Sequence, residues 1–313
     1  ENATAAYAQA LSAIPLGASD VIVTSRNDYI SNQLMFLSLR QRFGVRFVRA
    51  QDLPEGGVDP DSVAKLIKRH SPKLVAITHV PTHSGLMQPI VQIGKTCKSF
   101  GVPYLVDACQ SVGQLPLAVE EIGCDFLSAT ARKFLRGPRG VGFLYVSDLT
   151  LAAGLEPLFI DMRGADWIAR DEYRSHDDAT RFENWEFAYA LLLGTGTAAA
   201  YARGVGLDRI GRRTSGLAAS IRQHLRHLSG VKVLDHGQNL CGIVAATIAG
   251  VDANSCYRQL LERDINTALS FRRYSLIDFA EPGVDWAVRI SPHYYNTESE
   301  IDELVAAIEE IAS

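Results

Sequence analysis

Short apolar and β-branched runs recur through the first half of the chain, at 21–24, 45–48, 74–78, 104–106, 126–127 and 143–146. Between several of them, apolar residues fall at helical spacing. One such segment covers 31–43, another runs to His70, and a third covers 89–100 with Ile90, Ile93 and Cys97 on one face. The second of these opens with Asp59-Pro60-Asp61. An acidic residue with proline at the first helical position is a start signal for a helix. Strands alternating with helices predict an α/β architecture, with a mostly parallel sheet covered on both faces. Ligands of such sheets bind at the carboxyl ends of the strands.

The second half has a different pattern. Residues 157–178 are charged and without period, and are expected to cross the surface or reach a partner. A long helical region spans 187–228 and breaks near Gly204–Gly206. Strands are expected at 231–234, at 243–248 and near 287–290, with helices at 253–263 and 298–311. Thr297 and Glu300 have the spacing of a capping box for the last helix. The division expected is a large domain over 1–205 and a small α+β domain over 206–313.

Composition narrows the functions without choosing one. The chain has 313 residues, 47% hydrophobic and 21% charged, with a net charge of −4. This is the balance of a soluble globular protein with no basic stripe, which argues against nucleic acid and anionic membranes as partners. The five cysteines show no CxxC spacing, so neither a disulfide framework nor a zinc site is expected, and a reducing cytoplasm fits. No signal peptide or transmembrane run is visible. The chain begins at Glu1 and enters a helix at once, and a missing N-terminal segment is expected.

Candidate chemistry collects at three strand ends. Thr82 follows the run at 74–78. Asp107 and Gln110 follow "PYLV". Thr130, Arg132 and Lys133 follow "DFLSA". A carboxylate capping a buried strand needs a cation or several donors. Taken alone, Asp107 reads as a helix cap or a structural ion pair. With a lysine one or two strands away, a pyridoxal phosphate site becomes the sharper reading. That chemistry needs a carboxylate on the ring nitrogen and a lysine that forms a Schiff base and later moves protons.

The stretch "YLVDACQSVGQLPLAVEEIGCDFLSATARKFLRGPRGVGFLYV" resembles the core of the class V aminotransferases. This group includes cysteine desulfurases, selenocysteine lyases and isopenicillin N epimerase-like proteins. The resemblance rests on Asp107, Gln110, Thr130, Arg132, Lys133, Gly137, Pro138, Gly140 and Gly142, with one extra residue between the lysine and the first glycine. It extends over nearly the whole chain and implies the fold-type-I pyridoxal-phosphate transferase fold. It also implies an amino-acid substrate and a homodimer. The roles it implies are as follows. Lys133 carries the cofactor, Asp107 pairs with the pyridine nitrogen, and Gln110 with Thr82 binds the ring hydroxyl. Tyr29 stacks on the ring. Ala3 and Thr4 at a helix start, with Thr130 and Arg132, bind the phosphate. Arg289 binds the substrate carboxylate, to which a guanidinium fork is suited.

Two departures bear on the reaction. The segment "ALSFRRYSLIDFAEPGVDW", where the desulfurases of this group carry a nucleophilic thiol, holds no cysteine. This speaks against a persulfide-forming cysteine desulfurase. Arg272 and Arg273 in that segment suggest a substrate with a second acidic group. The stretch after "RFE" lacks the threonine that a neighbouring subunit contributes in many relatives, leaving Asn184 and Trp185 as candidates. The reaction expected is aminotransferase-like, with epimerisation or carbon–sulfur cleavage as alternatives. A catalytically inactive cofactor-binding protein is a further alternative. A dinucleotide-dependent oxidoreductase ranks below these, because no glycine follows the first strand in "VIVTSRNDYISN".

Overall fold

A computed structural model describes residues 1–313. The central sheet has six strands: β1 (Val21–Thr24), β2 (Arg46–Arg49), β3 (Leu74–Thr78), β4 (Tyr104–Asp107), β5 (Phe126–Thr130) and β6 (Gly142–Val146). Their spatial order is β2-β1-β3-β4-β5-β6. All neighbours are parallel except β5 and β6, which are antiparallel. Every residue of β1, β3, β4 and β5 is buried. This is why these strands read as unbroken apolar runs and not as alternating ones.

Helices cover both faces of the sheet. Helices α1 (Ala3–Ser12) and α2 (Ile30–Phe43) bring Tyr7, Leu11 and Phe36 onto the face of Ile22, Leu74 and Leu105. Helices α3 (Pro60–His70) and α4 (Ile90–Phe100) bring Val63, Ile67, Ile90 and Ile93 onto the face of Val23, Val75 and Val106. The start of α3 is as expected: Asp59 caps the amide of Asp61, and Pro60 occupies the first turn. Two short helices, α5 (Val119–Ile122) and α6 (Asp148–Ala152), complete this part.

The later half departs from its sequence reading in two places. Residues within 157–178 form an antiparallel ribbon, β7 (Ala165–Ala169) with β8 (Glu172–Ser175). Both strands are largely exposed, so no apolar face imposed an alternation that could be read. The long helical region breaks as expected, into α7 (Tyr189–Val205) and α8 (Leu207–His227) separated at Gly206. A four-stranded antiparallel sheet follows, ordered β11-β12-β10-β9, from β9 (Val231–Val233), β10 (Val244–Ile248), β11 (Ala268–Phe271) and β12 (Trp286–Ile290). Strand β11 lies where the sequence reading expected no strand. Helices α9 (Ala253–Leu261) and α10 (Glu298–Ala312) pack with α8 on this sheet, and the capping box of Thr297 and Glu300 is formed. No helix is long and apolar enough to cross a membrane.

The two sheets are joined through the loop after β3. The Gly85 carbonyl accepts from the Cys241 amide (2.8 Å), and the Met87 amide donates to the Asn239 carbonyl (3.0 Å). The Gly85 amide donates to Asp235 (2.9 Å). Asp235 is ion-paired with Arg222 at 2.7 Å, and both side chains are buried.

Candidate active site

The carboxyl ends of β1, β3, β4 and β5 converge, as the parallel topology requires. Asp107 is the last residue of β4 and is flanked in register by Thr78 of β3 and Ser128 of β5. It is buried, with 3% of its surface exposed. Its Oδ1 accepts from the Cys109 amide (2.9 Å) and its Oδ2 from Asn32 Nδ2 (3.0 Å). The segment after it packs against the Lys133 turn at Gly113, where φ is +92° and a Cβ would lie 2.1 Å from the Leu135 nitrogen. Only glycine permits that approach.

Beneath Asp107 lies a second buried carboxylate, Asp28, which the sequence did not single out. Its oxygens accept from Asn32 Nδ2 (3.0 Å), Gln33 Nε2 (2.7 Å), the Tyr29 amide (2.7 Å), and the hydroxyls of Thr24 (3.3 Å) and Thr78. Burial raises the Asp28 carboxyl pKa, and the nearby charge of Asp107 adds to this. The donors of Thr78, Asn32 and Gln33 oppose it. Asn32 therefore uses its one amide nitrogen to tie two carboxylates together. The signal for it is weak in sequence, because Asp107 lies 75 residues away. Asn32→Leu leaves both carboxylates short of a donor and is expected to cost about 1–3 kcal/mol of stability. Urea denaturation measures this, and an unchanged midpoint would remove Asn32 from the network.

Lys133 sits in the turn after β5. Its amine forms no hydrogen bond or ion pair with protein, and lies 5.9 Å from the centre of the Tyr29 ring. Burial lowers its pKa, and Arg289 and Arg132 push the same way, while Cys109 and Asp107 oppose. Gln110 donates to Thr82 Oγ1 (3.4 Å) and accepts from Arg289 Nη2 (3.2 Å). Arg289, on β12, is half-buried, and its Nε is buried without a partner. Burial lowers its guanidinium pKa to about 10. Tyr29, Thr82, Gln110, Lys133 and Arg289 thus form one constellation next to Asp107.

The helix end anticipated for an anion is beside it. Gly142 pairs in register with Thr130, and a Cβ on Gly142 would lie 2.4 Å from the Ala3 nitrogen. This approach seats the start of α1 against the β5–β6 pair. Asn2 caps the Ala5 amide (2.9 Å), and the amides of Ala3 and Thr4 have no backbone partner. A cavity of about 570 Å³ borders this end and is lined by Gly140, Gly142 and Asn184. Arg132 is exposed and makes no hydrogen bond. Arg272 and Arg273 are not brought into the constellation. Arg272 reaches Asp285 (3.6 Å), and Arg273 lies over the rings of Phe271 and Tyr274.

These residues fit pyridoxal phosphate. A satisfied carboxylate lies at one strand end and an unpartnered amine in the turn after the next strand. An aromatic ring adjoins the amine, and two free amides face the β5–β6 pair. The group would be held by Lys133, Asp107 and the start of α1.

Comparison with known proteins agrees. Residues 1–304 match the family described as aminotransferase class-V. A protein of Methanothermobacter thermautotrophicus named probable cysteine desulfurase is 30% identical, over 94% of this chain and 73% of its own. A protein of Mycobacterium tuberculosis named probable hercynylcysteine sulfoxide lyase is 29% identical, over 82% of this chain and 61% of its own. The apo cysteine desulfurase of Thermococcus onnurineus NA1 superposes with a TM-score of 0.91 at 25% identity, covering 99% of this chain and 78% of that one. These relatives overturn the expectation, drawn from segment 268–286, that spoke against a persulfide-forming desulfurase. A missing thiol on one segment bears on where a sulfur atom goes. It does not decide whether the carbon–sulfur bond breaks.

Proposed function

This chain belongs to the class V aminotransferase family of pyridoxal-phosphate-dependent enzymes, and from that premise we propose that it cleaves the carbon–sulfur bond of cysteine or of an S-substituted cysteine. The names of its relatives support this reading, since a cysteine desulfurase and a cysteine-derived sulfoxide lyase share that bond. The observation that carries it is the grouping of Lys133, Gln110, Tyr29 and Arg289 at the strand end where Asp107 sits.

When bound, pyridoxal phosphate supplies a sink for the electron pair released at the substrate α-carbon. Asp107, fixed by Asn32 and the Cys109 amide, would hold a proton on the ring nitrogen. Tyr29 would lie against the ring. The amides of Ala3 and Thr4 would hold the phosphate, with Thr130 and Arg132 beside them. Gln110 and Thr82 would orient the ring oxygen. Arg289 binds the substrate carboxylate. Lys133, its amine made easier to deprotonate by burial, takes the proton from the α-carbon and returns one to the product. We place the domain division at 205/206, where α7 gives way to α8. A homodimer is supported by the apolar side chains of Phe159, Met162, Trp167 and Leu193, all largely exposed on one stretch of chain.

The test is turnover of L-cysteine by the cofactor-loaded protein, with and without an added acceptor thiol. The expected products are of two kinds. Alanine with a persulfide on the acceptor marks desulfuration. Pyruvate, ammonia and sulfide in equal amounts mark elimination. Exchange of amino groups with keto acids, or racemisation, without loss of sulfur would replace this reading by the aminotransferase or epimerase alternative. A bound cofactor with no turnover of any amino acid would replace it by the catalytically inactive cofactor-binding alternative.

A further inference from the structure

A cleft of about 260 Å³ adjoins the candidate site and has no role in the account above. It lies between the loops that carry Tyr29 and Thr82 and the segment after β11. Arg26 and Asn27 line it just before Tyr29, His83 just after Thr82, and Asp52, Asp278, Glu281 and the His236 imidazole lie among its other polar residues. Its charges are unbalanced. Arg26 is the one guanidinium, and it is engaged by Glu281 (2.9 Å) and Asp52 (3.9 Å). Asp278 has no cationic partner and accepts only from the Ser275 hydroxyl (2.8 Å).

The hydrogen bonding is incomplete in the same place. Asp278 Oδ1, Asp52 Oδ1 and His83 Nδ1 are buried atoms without a partner. His83 is only 8% exposed, and its ring meets the edge of Phe279 at 5.8 Å. Buried polar atoms are nearly always satisfied, so three orphans on one cleft require an explanation. Burial pushes the Asp278 carboxyl up to about 7 and raises that of Asp52, so a bound cation that donates to them stabilises the ionised form, which only accepts. His83 connects the cleft to the reaction centre, since Lys133 and Arg289 are near enough to add to the lowering of its pKa by burial. Burial is the larger cause and brings it to about 4, so the ring is neutral near pH 7.

We infer that this cleft is the subsite for the S-substituent of the substrate, and that it selects a substituent ending in a cationic hydrogen-bond donor such as an ammonium, guanidinium or protonated ring nitrogen. This rests on the carbon–sulfur reading. A substrate whose carboxylate is held by Arg289 directs its sulfur substituent past His83 toward Asp278 and Asp52.

The experiment uses the cofactor-loaded protein and three probes of similar length: S-(2-aminoethyl)-L-cysteine, S-propyl-L-cysteine and S-carboxymethyl-L-cysteine. The readout is the ratio of kcat/KM values for thiol release. The cationic probe is expected to exceed the anionic one by at least about tenfold, because one charge-assisted hydrogen bond replaces a like-charge contact. In Asp278→Asn, and independently in Asp52→Asn, the ratio is expected to fall to within about threefold, since the amide removes the charge and keeps the shape. Equal values for all three probes in the unmodified protein would overturn the subsite and leave the carbon–sulfur reading standing. A preference for the anionic probe would also overturn it, in favour of Arg272 and Arg273. If none of the probes is cleaved, the carbon–sulfur reading narrows to cysteine itself where L-cysteine is turned over, and fails where it is not. The subsite is then decided by dissociation constants measured from perturbation of the cofactor's absorption, where equal affinities for the three probes reject it.

Discussion

Lys133→Ala is expected to lower turnover by at least about 10³-fold, because the variant loses both the amine that carries the cofactor and the group that moves the α-proton. The magnitude follows from its position. The amine has no partner in the protein and faces Tyr29, and burial with two neighbouring guanidinium groups lowers its pKa. A structural lysine would hold an ion pair there, and its loss would show as instability. The variant is instead expected to fold with a denaturation midpoint near that of the unmodified protein. It should lack the visible absorption band of cofactor joined to lysine, and borohydride should no longer fix cofactor to the chain. Retention of a reducible adduct in the variant would show that another amine holds the cofactor and would remove Lys133 from its place in the site.

Arg222→Met should produce the largest loss of stability, about 3–5 kcal/mol, because it leaves Asp235 as an uncompensated buried charge. Arg222 donates to Asp235 at 2.7 Å and to the carbonyls of Cys241 (2.8 Å) and Ile243. Burial raises the Asp235 carboxyl pKa despite the guanidinium and the amides of Gly85 and Ala245 that oppose it, so the charge depends on every one of its partners. Replacing both members by apolar residues is often close to neutral elsewhere. Here Arg222→Met with Asp235→Leu should recover only part of the loss, since the Gly85 and Ala245 amides are then left without an acceptor. Urea denaturation of the two variants decides this. A single variant within about 1 kcal/mol of the unmodified protein would show that water or relaxation compensates the carboxylate.

The parts of the site that were legible in sequence are those that one chain segment carries whole. The stretch 104–146 holds three strands, the polar carboxyl ends of two of them and the glycines of the turn in continuous order, so its topology and candidate chemistry could be read together. Asp28 and Asn32 were missed because their meaning lies in Thr78 and Asp107, which the sheet brings to them and the sequence does not. Arg272 and Arg273 show the reverse case. Their place in the chain pointed to the substrate, but neighbouring aromatic rings and Asp285 hold both side chains elsewhere. The ribbon of β7 and β8 was hidden for a different reason. Most of its side chains face outward, so nothing in its polarity marks a buried side. The exclusion of desulfurase activity failed because it treated one missing thiol as a statement about bond cleavage.

The joint between the two sheets has a mechanical consequence. Gly85 is held by Asp235 on its amide and by Cys241 on its carbonyl, and Met87 is held by Asn239. Thr82 and His83 lie only a few residues before these points. On the roles proposed for Arg289 and Thr82, a tilt of the four-stranded sheet would be passed through a short lever to the residues over the ring oxygen and at the mouth of the cleft. Grip on the carboxylate, orientation of the ring and width of the cleft would then be geared to one another.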